Sequence, residues 1–414
     1  MLVHPALIML VVWSGVLGLA AYGYINLGTM TVVQRFLEQQ NVTEIFTSTG
    51  LIWIGLSLGV FFISSVGTSL LLSGRRREVI RINMATLDYV SKVNYYWCLF
   101  LLGLVVLWML RAAVAFGGLG GMYSVMMSSW SESKSRIIDL KLFPGMRLIY
   151  SSIISVAIVS TNAFLVRRRM GSEQKSGGYD LRAAVIASSL LIAMPSLISG
   201  RVLLALGMVA TGVSVLMTRQ KQIPIIFIFL FPVAASVAWV GKEYWSFTRQ
   251  AETTLVDFAT QKAIFYATNN VSNVCVPVDY ANTSGTYTLG LLTMPLLGQI
   301  STRVPFVPNE IKQRFWELRE FRGGGTFTLL GEPFLDWSWL GLIVIMGYGV
   351  LCSYVWSLAK RSYYGCIFYG FLAACLLMSW HANFITHHNT IFNLIYVYIL
   401  FVVLPRRRKL PVLW

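Results

Sequence analysis

The residues equipped for chemistry fall into four groups. Arg111, in WMLRAAVAF, and Arg201, after the Pro195–Gly200 bend in MPSLISGRVLL, lie at the ends of apolar stretches. A guanidinium at such depth is costly in lipid, so it faces a cavity or a partner, or snorkels to the headgroups. The second group is basic: Arg303, then Arg314, Arg319 and Arg322 in the run 309–322. There Phe315, Leu318 and Phe321 recur at a spacing of three, which predicts an amphipathic helix. With Trp316 it could lie on a membrane surface as readily as hold an anion. Third, the run Gly323–Gly341 carries two carboxylates, Glu332 and Asp336, behind successive glycines. Such glycines let backbone amides approach a ligand closely. The Gly-Lys-Ser/Thr ending of a nucleotide-binding loop is absent, and acidic residues at a helix start also serve plain N-terminal electrostatics. Fourth, His381, His387 and His388 cluster in one turn and make up three of the four histidines. Their spacing does not match a zinc site on one helix face, which leaves hydrogen bonding to a sugar or phosphate. No metal and no cofactor is expected.

The elements that must position these groups follow from composition. With 56% hydrophobic and 12% charged residues, the chain lacks the polar groups to cover its apolar surface in water. Lipid is its expected solvent. Apolar stretches of roughly membrane length run at Ala6–Leu27, Gly50–Leu72, Trp97–Phe116, Leu148–Val166, Ala183–Leu197, Val202–Met217, Ile223–Val240, Trp337–Trp356, Cys366–Trp380 and Ile391–Leu404. The expected fold class is therefore all-α, a polytopic bundle of about ten transmembrane helices. Helices 1–7 occupy 1–241, a large outer loop 242–335, and helices 8–10 with a short basic tail 336–414. The first stretch reads as a retained helix rather than a cleaved signal, since it lacks a basic leader and runs long.

Orientation follows from Lys and Arg in the short loops. Clusters at Arg75–Arg77 with Arg81, Arg167–Arg169 with Lys175, Arg219 with Lys221, Lys360 with Arg361, and Arg406–Arg408 with Lys409 follow every second stretch. Each even-numbered helix is thus expected to end in the cytoplasm, as are both termini. The net charge of +16 is mostly topogenic and favours anionic membrane lipids; no nucleic acid is called for. Of the five cysteines only Cys275 falls in a long loop, so no disulfide framework is implied.

Three blocks occur in the order found in the Wzy-type O-antigen polymerases: SGRVLLALGMVATG at 199–212, TYTLGLLTMPLLGQISTRVPFVPNEI at 286–311, and GGTFTLLGEPFLDWSWLG at 324–341. The last resembles that family's Gly-Glu-x-aromatic signature ahead of an outer-leaflet helix, although Trp337 stands where a Phe-Gly pair is more usual. The first half of the chain is similar in hydropathy alone.

The resemblance implies a metal-independent glycosyltransferase in a bacterial inner membrane, with its active site facing the periplasm. It would move a growing glycan from undecaprenyl pyrophosphate onto the non-reducing end of a new lipid-linked repeat unit, in contact with membrane lipids and a chain-length regulator. Without a divalent metal, arginines must stabilise the departing pyrophosphate. Arg201 comes first, then Arg303 and Arg314, then Arg111, Arg319 and Arg322. The acceptor hydroxyl needs a base, for which Glu332, Asp336 and His381 are candidates, Glu332 foremost. Tyr287 and other loop aromatics offer faces for sugar rings. Two other functions compete: an O-antigen ligase, which shares the donor, and a lipid-linked oligosaccharide flippase or secondary transporter. No repeat between the two halves favours the transporter.

Overall fold

The computed structural model describes residues 4–73, 83–127, 136–169, 177–193, 201–218, 244, 254–295, 307–320 and 326–408. Among the described residues the regular structure is entirely helical. In chain order the helices are α1 (Pro5–Ile25), α2 (Thr31–Gln39), α3 (Ser48–Ser73), α4 (Met84–Ala115), α5 (Leu119–Met127), α6 (Met146–Ser151), α7 (Ile153–Arg169) and α8 (Gly177–Ala193). They continue as α9 (Arg201–Met217), α10 (Leu255–Ser284), α11 (Asn309–Glu320), α12 (Gly331–Trp337), α13 (Gly341–Ala359), α14 (Tyr363–Leu377), α15 (His388–Tyr398) and α16 (Leu404–Arg407).

Among the described residues six segments are long and apolar enough to cross a membrane: Pro5–Ile25, Ser48–Ser73, Met84–Ala115, Met146–Arg168, Gly331–Ala359 and His388–Arg407. Two shorter apolar helices, Leu204–Met217 and Tyr363–Leu377, accompany them. Such a set is what a multi-pass membrane bundle requires. The expected apolar stretches fall mainly on helices where they are described, although the ninth leaves its helix at Leu377 before its expected end at Trp380, and the seventh, 223–240, lies outside the described residues. The third is longer than hydropathy suggests. Asn83 caps α4 by accepting from the Thr86 amide at 3.2 Å, and the helix then runs through Ser91 and Asn94, polar residues that are buried.

The chain packs as two compact units. The first comprises Met1–Arg76, Phe229–Ser357 and Cys375–His387. Its centre is α10, which begins at the N-cap Thr254 and ends at Gly285 in the left-handed region. It packs against α1, α2, α3 and α12. Glycine makes the closest approach possible: a Cβ at Gly50 of α3 would collide with the backbone of Cys275. Hydrogen bonds fix the register there, with Thr47 Oγ1 donating to the Cys275 carbonyl at 2.9 Å and Ser272 Oγ to the Glu44 carbonyl at 2.6 Å. Cys275 is thus buried in a helix, and none of the five cysteines is in a disulfide.

The second unit comprises Arg77–Ile228, Leu358–Ala374 and His388–Trp414. Here α7 is the inner helix, packed by α4, α8, α9 and α15. Its small polar residues supply the interhelical glue expected in lipid. Asn94 Nδ2 donates to Ser160 Oγ at 2.8 Å, Asn162 Nδ2 to Ser214 Oγ at 2.7 Å, and Ser155 Oγ to Asn393 Oδ1 at 2.6 Å. Arg167, the first of the three arginines read as topogenic, is buried and paired with Asp88 and, through Nε at 2.8 Å, with Asp180. A buried pair of this kind fixes register more than it adds stability.

Candidate functional site

Glu332 is the second residue of α12, in the first unit. The segment before α12 is pinned from two sides: Leu329 N donates to the Ser379 carbonyl at 3.0 Å, and Trp53 Nε1 to the Leu330 carbonyl at 2.6 Å. Thr326 Oγ1 adds a 2.6 Å bond to the His381 carbonyl, and Thr328 Oγ1 accepts from Gly331 N at 3.1 Å. Glu332 follows, half-buried, and bonds Asn383. Asn383 Nδ2 also donates to Tyr348 Oη at 3.2 Å, and its Oδ1 accepts from Ile385 N at 3.2 Å. Asn383 and Tyr348 are buried, so the carboxylate is oriented by groups that are themselves held.

The apolar segment Gly331–Ala359 breaks at Ser338, whose φ is +54°. A non-glycine residue rarely adopts that backbone without support. Support comes from Ser338 Oγ, which donates to Tyr287 Oη at 3.1 Å, and from Gly341, where a Cβ would meet the Pro333 carbonyl. Asp336, fully buried, ties the same break to the 286–294 strip. It accepts from Thr288 Oγ1, from Leu292 N at 3.2 Å and from Thr293 N at 2.6 Å. Its oxygens are engaged in holding that strip.

Three asparagines of α10 carry side-chain atoms that are not satisfied. Asn273 is fully buried, and neither its Oδ1 nor its Nδ2 has a partner; the Oδ1 atoms of Asn269 and Asn270 are likewise unbonded. Pro277, four residues on, has no N–H to give the Asn273 carbonyl. That carbonyl lies beside Gly331, where a Cβ would stand 3.8 Å from it. Buried amides without partners are rare in native proteins and signal a bound polar ligand or water.

No protein-family model, curated protein or solved structure matches the chain.

The remaining expected residues are dispersed. His381 follows α14, its ring half-buried between Trp380 at 6.0 Å and Phe384 at 6.3 Å. Burial lowers its pKa below the usual 6.5, so at neutral pH it is an uncharged imidazole able to accept a proton. Tyr287 is half-buried, with its ring edge to Phe334. Arg314 is half-buried in α11, where Leu318 is the buried residue, and Arg319 is exposed with its guanidinium 5.0 Å over the Trp316 ring. Arg303 and Arg322 lie outside the described residues. In the second unit Arg201 is the first residue of α9, and Arg111 is exposed, donating from Nη1 to the Lys141 carbonyl at 3.1 Å. Sequence reasoning missed Asn383, Tyr348 and the α10 asparagines. The signal for the latter was the run NNVSNVCVP, three amides in five residues followed by a proline, in a stretch read as loop.

Proposed function

We propose that this chain polymerises lipid-linked oligosaccharide repeat units for a bacterial surface polysaccharide. It acts from the inner membrane, with ten transmembrane helices, both termini in the cytoplasm and the active site facing the periplasm. The observation that carries this reading is an oriented carboxylate, Glu332, one residue after Gly331, which packs beside the backbone of Asn273 in α10, a residue whose buried side-chain amide is unpartnered. A sugar presents many hydroxyls that donate and accept, and unbonded Asn oxygens and nitrogens are their complement.

In this reading Glu332 takes the proton of the acceptor hydroxyl as its oxygen bonds to the anomeric carbon of the donor. The bond from that carbon to the pyrophosphate oxygen breaks, and the electron pair leaves with undecaprenyl pyrophosphate. An arginine is required to balance the charge of the departing group, for which the sequence offers Arg201 first, then Arg303 and Arg314. Asp336 holds the 286–294 strip rather than taking the proton, since its oxygens already accept from Thr288, Leu292 and Thr293. Tyr287 faces sugar as an aromatic surface.

The test is elongation of lipid-linked repeats by purified protein with no ion gradient. Wild-type protein is expected to extend them. Glu332→Gln, which keeps the Asn383 contact but cannot act as a base, is expected to lose about 10²- to 10⁴-fold in rate. Elongation by Glu332→Gln at the wild-type rate would remove Glu332 from the chemistry.

A further inference from the structure

A second candidate binding site lies in the other unit, on the face of α4 away from its packed side. Tyr89, Lys92, Val93, Tyr96 and Arg408 line a cavity of about 580 Å³. The first four recur at intervals of three and four residues, so they form one stripe of the helix. Arg408 is the C-cap that follows α16. Lys92 and Arg408 are exposed, and neither forms an ion pair among the described residues. Asp88, one turn before Lys92 on α4, is paired with the buried Arg167.

The stripe does not stop at the cavity. Continuing up α4 at the same helical spacing come Leu99, Phe100, Leu107, Leu110 and Val114, all exposed large apolar residues. One helix face therefore carries cationic and phenolic groups at its N-terminal end and bare hydrocarbon beyond. At 1.5 Å per residue, Lys92 lies about 10 Å along the axis from Leu99, roughly the distance from a headgroup phosphate to the upper acyl chain. The lining thus has the two-part chemistry of a lipid: anion-binding at one end and apolar over the rest. A soluble anion would make no use of the upper stripe.

We propose that this cavity binds an anionic phospholipid, its phosphate held between Lys92 and Arg408, its glycerol against Tyr89 and Tyr96, and its chains along the α4 stripe. On the topology given under the proposed function the site faces the cytoplasmic leaflet, where basic residues between helices recognise anionic headgroups. It is separate from Glu332 and carries no step of glycan transfer.

Full-length protein in detergent, titrated with phosphatidylglycerol and followed by native mass spectrometry, tests this directly. Retained phosphatidylglycerol is expected, with weaker retention of phosphatidylcholine and none of glycerol 3-phosphate, which has the headgroup chemistry but no chains. Lys92→Gln and Arg408→Gln are each expected to weaken phosphatidylglycerol binding about five-fold, and about 25-fold together. Lys92→Arg should restore it, and Arg182→Gln, which removes an exposed charge elsewhere on the same unit, should leave it unchanged. Equal binding of phosphatidylcholine, binding of glycerol 3-phosphate as tight as that of the lipid, or a double variant that binds like wild type would each overturn the proposal.

Discussion

Helices α4 and α10 are nearly the same length, 32 and 30 residues, yet only one of them was visible as a helix in the sequence. In α4 the buried residues Leu101, Val105, Trp108 and Ala112 occupy one side, and Leu99, Val106, Leu110 and Val114 are left exposed on the other. Both sides must be apolar, one for protein and one for lipid, so hydropathy registers the whole span. In α10 burial is by other helices instead. Gln261, Lys262, Thr268, Asn269, Asn270, Ser272 and Asn273 are all buried, and the polar content that marks a loop in a hydropathy profile here marks an interior. A membrane protein can hide a polar helix inside itself, where lipid never sees it.

The comparison can be broken first at the closest contact. Gly50→Ala places a methyl group against the Cys275 backbone, which cannot move aside as a side-chain tip would. The expected cost is about 1–3 kcal/mol, read as a lowered thermal midpoint in detergent. Gly103→Ala in α4 meets nothing within 4 Å, so stability should hold or rise by up to about 1 kcal/mol. Equal losses at the two positions would mean that α10 is not held against α3 as described.

Asn273→Leu sharpens the reading of the unsatisfied amides. The substitution removes a buried group with no partner at nearly constant volume, so the thermal midpoint should stay or rise, while glycan elongation falls. A large drop in stability would instead assign Asn273 a holding role. The smallest expected effect concerns His381. Its pKa is lowered by burial, so its imidazole binds a proton more readily when unfolded than when folded. The stability tied to the neutral ring is full above about pH 6.5 and is lost as pH falls through the lowered folded value. Thermal midpoints of wild type should decline over that acid range, and His381→Phe should flatten the decline.

What the sequence disclosed follows the same line. The long apolar helices were legible because lipid forces their composition, and Glu332 and Asp336 because the Gly-Glu-Pro run is conspicuous ahead of an apolar segment. Asp336's holding role was not legible, since Thr288, Leu292 and Thr293 are more than 40 residues away in sequence. Nor was that of Asn383, which reaches Glu332 from beyond α14. Arg167 resembled its two neighbours in a basic cluster, and only the folded chain separates it from them by pairing it with Asp88 and Asp180. Pairings over such distances leave no trace in local pattern.

The central claim is tested most directly by the glycan ladder of a strain from which this gene is deleted. Surface polysaccharide one repeat unit long is expected, with the full ladder restored by the wild-type chain but not by Glu332→Gln or by Arg201→Ala expressed at the same level. Full-length polymer accumulating on the lipid carrier in the deletion strain, or a wild-type ladder from both variants, would contradict the account.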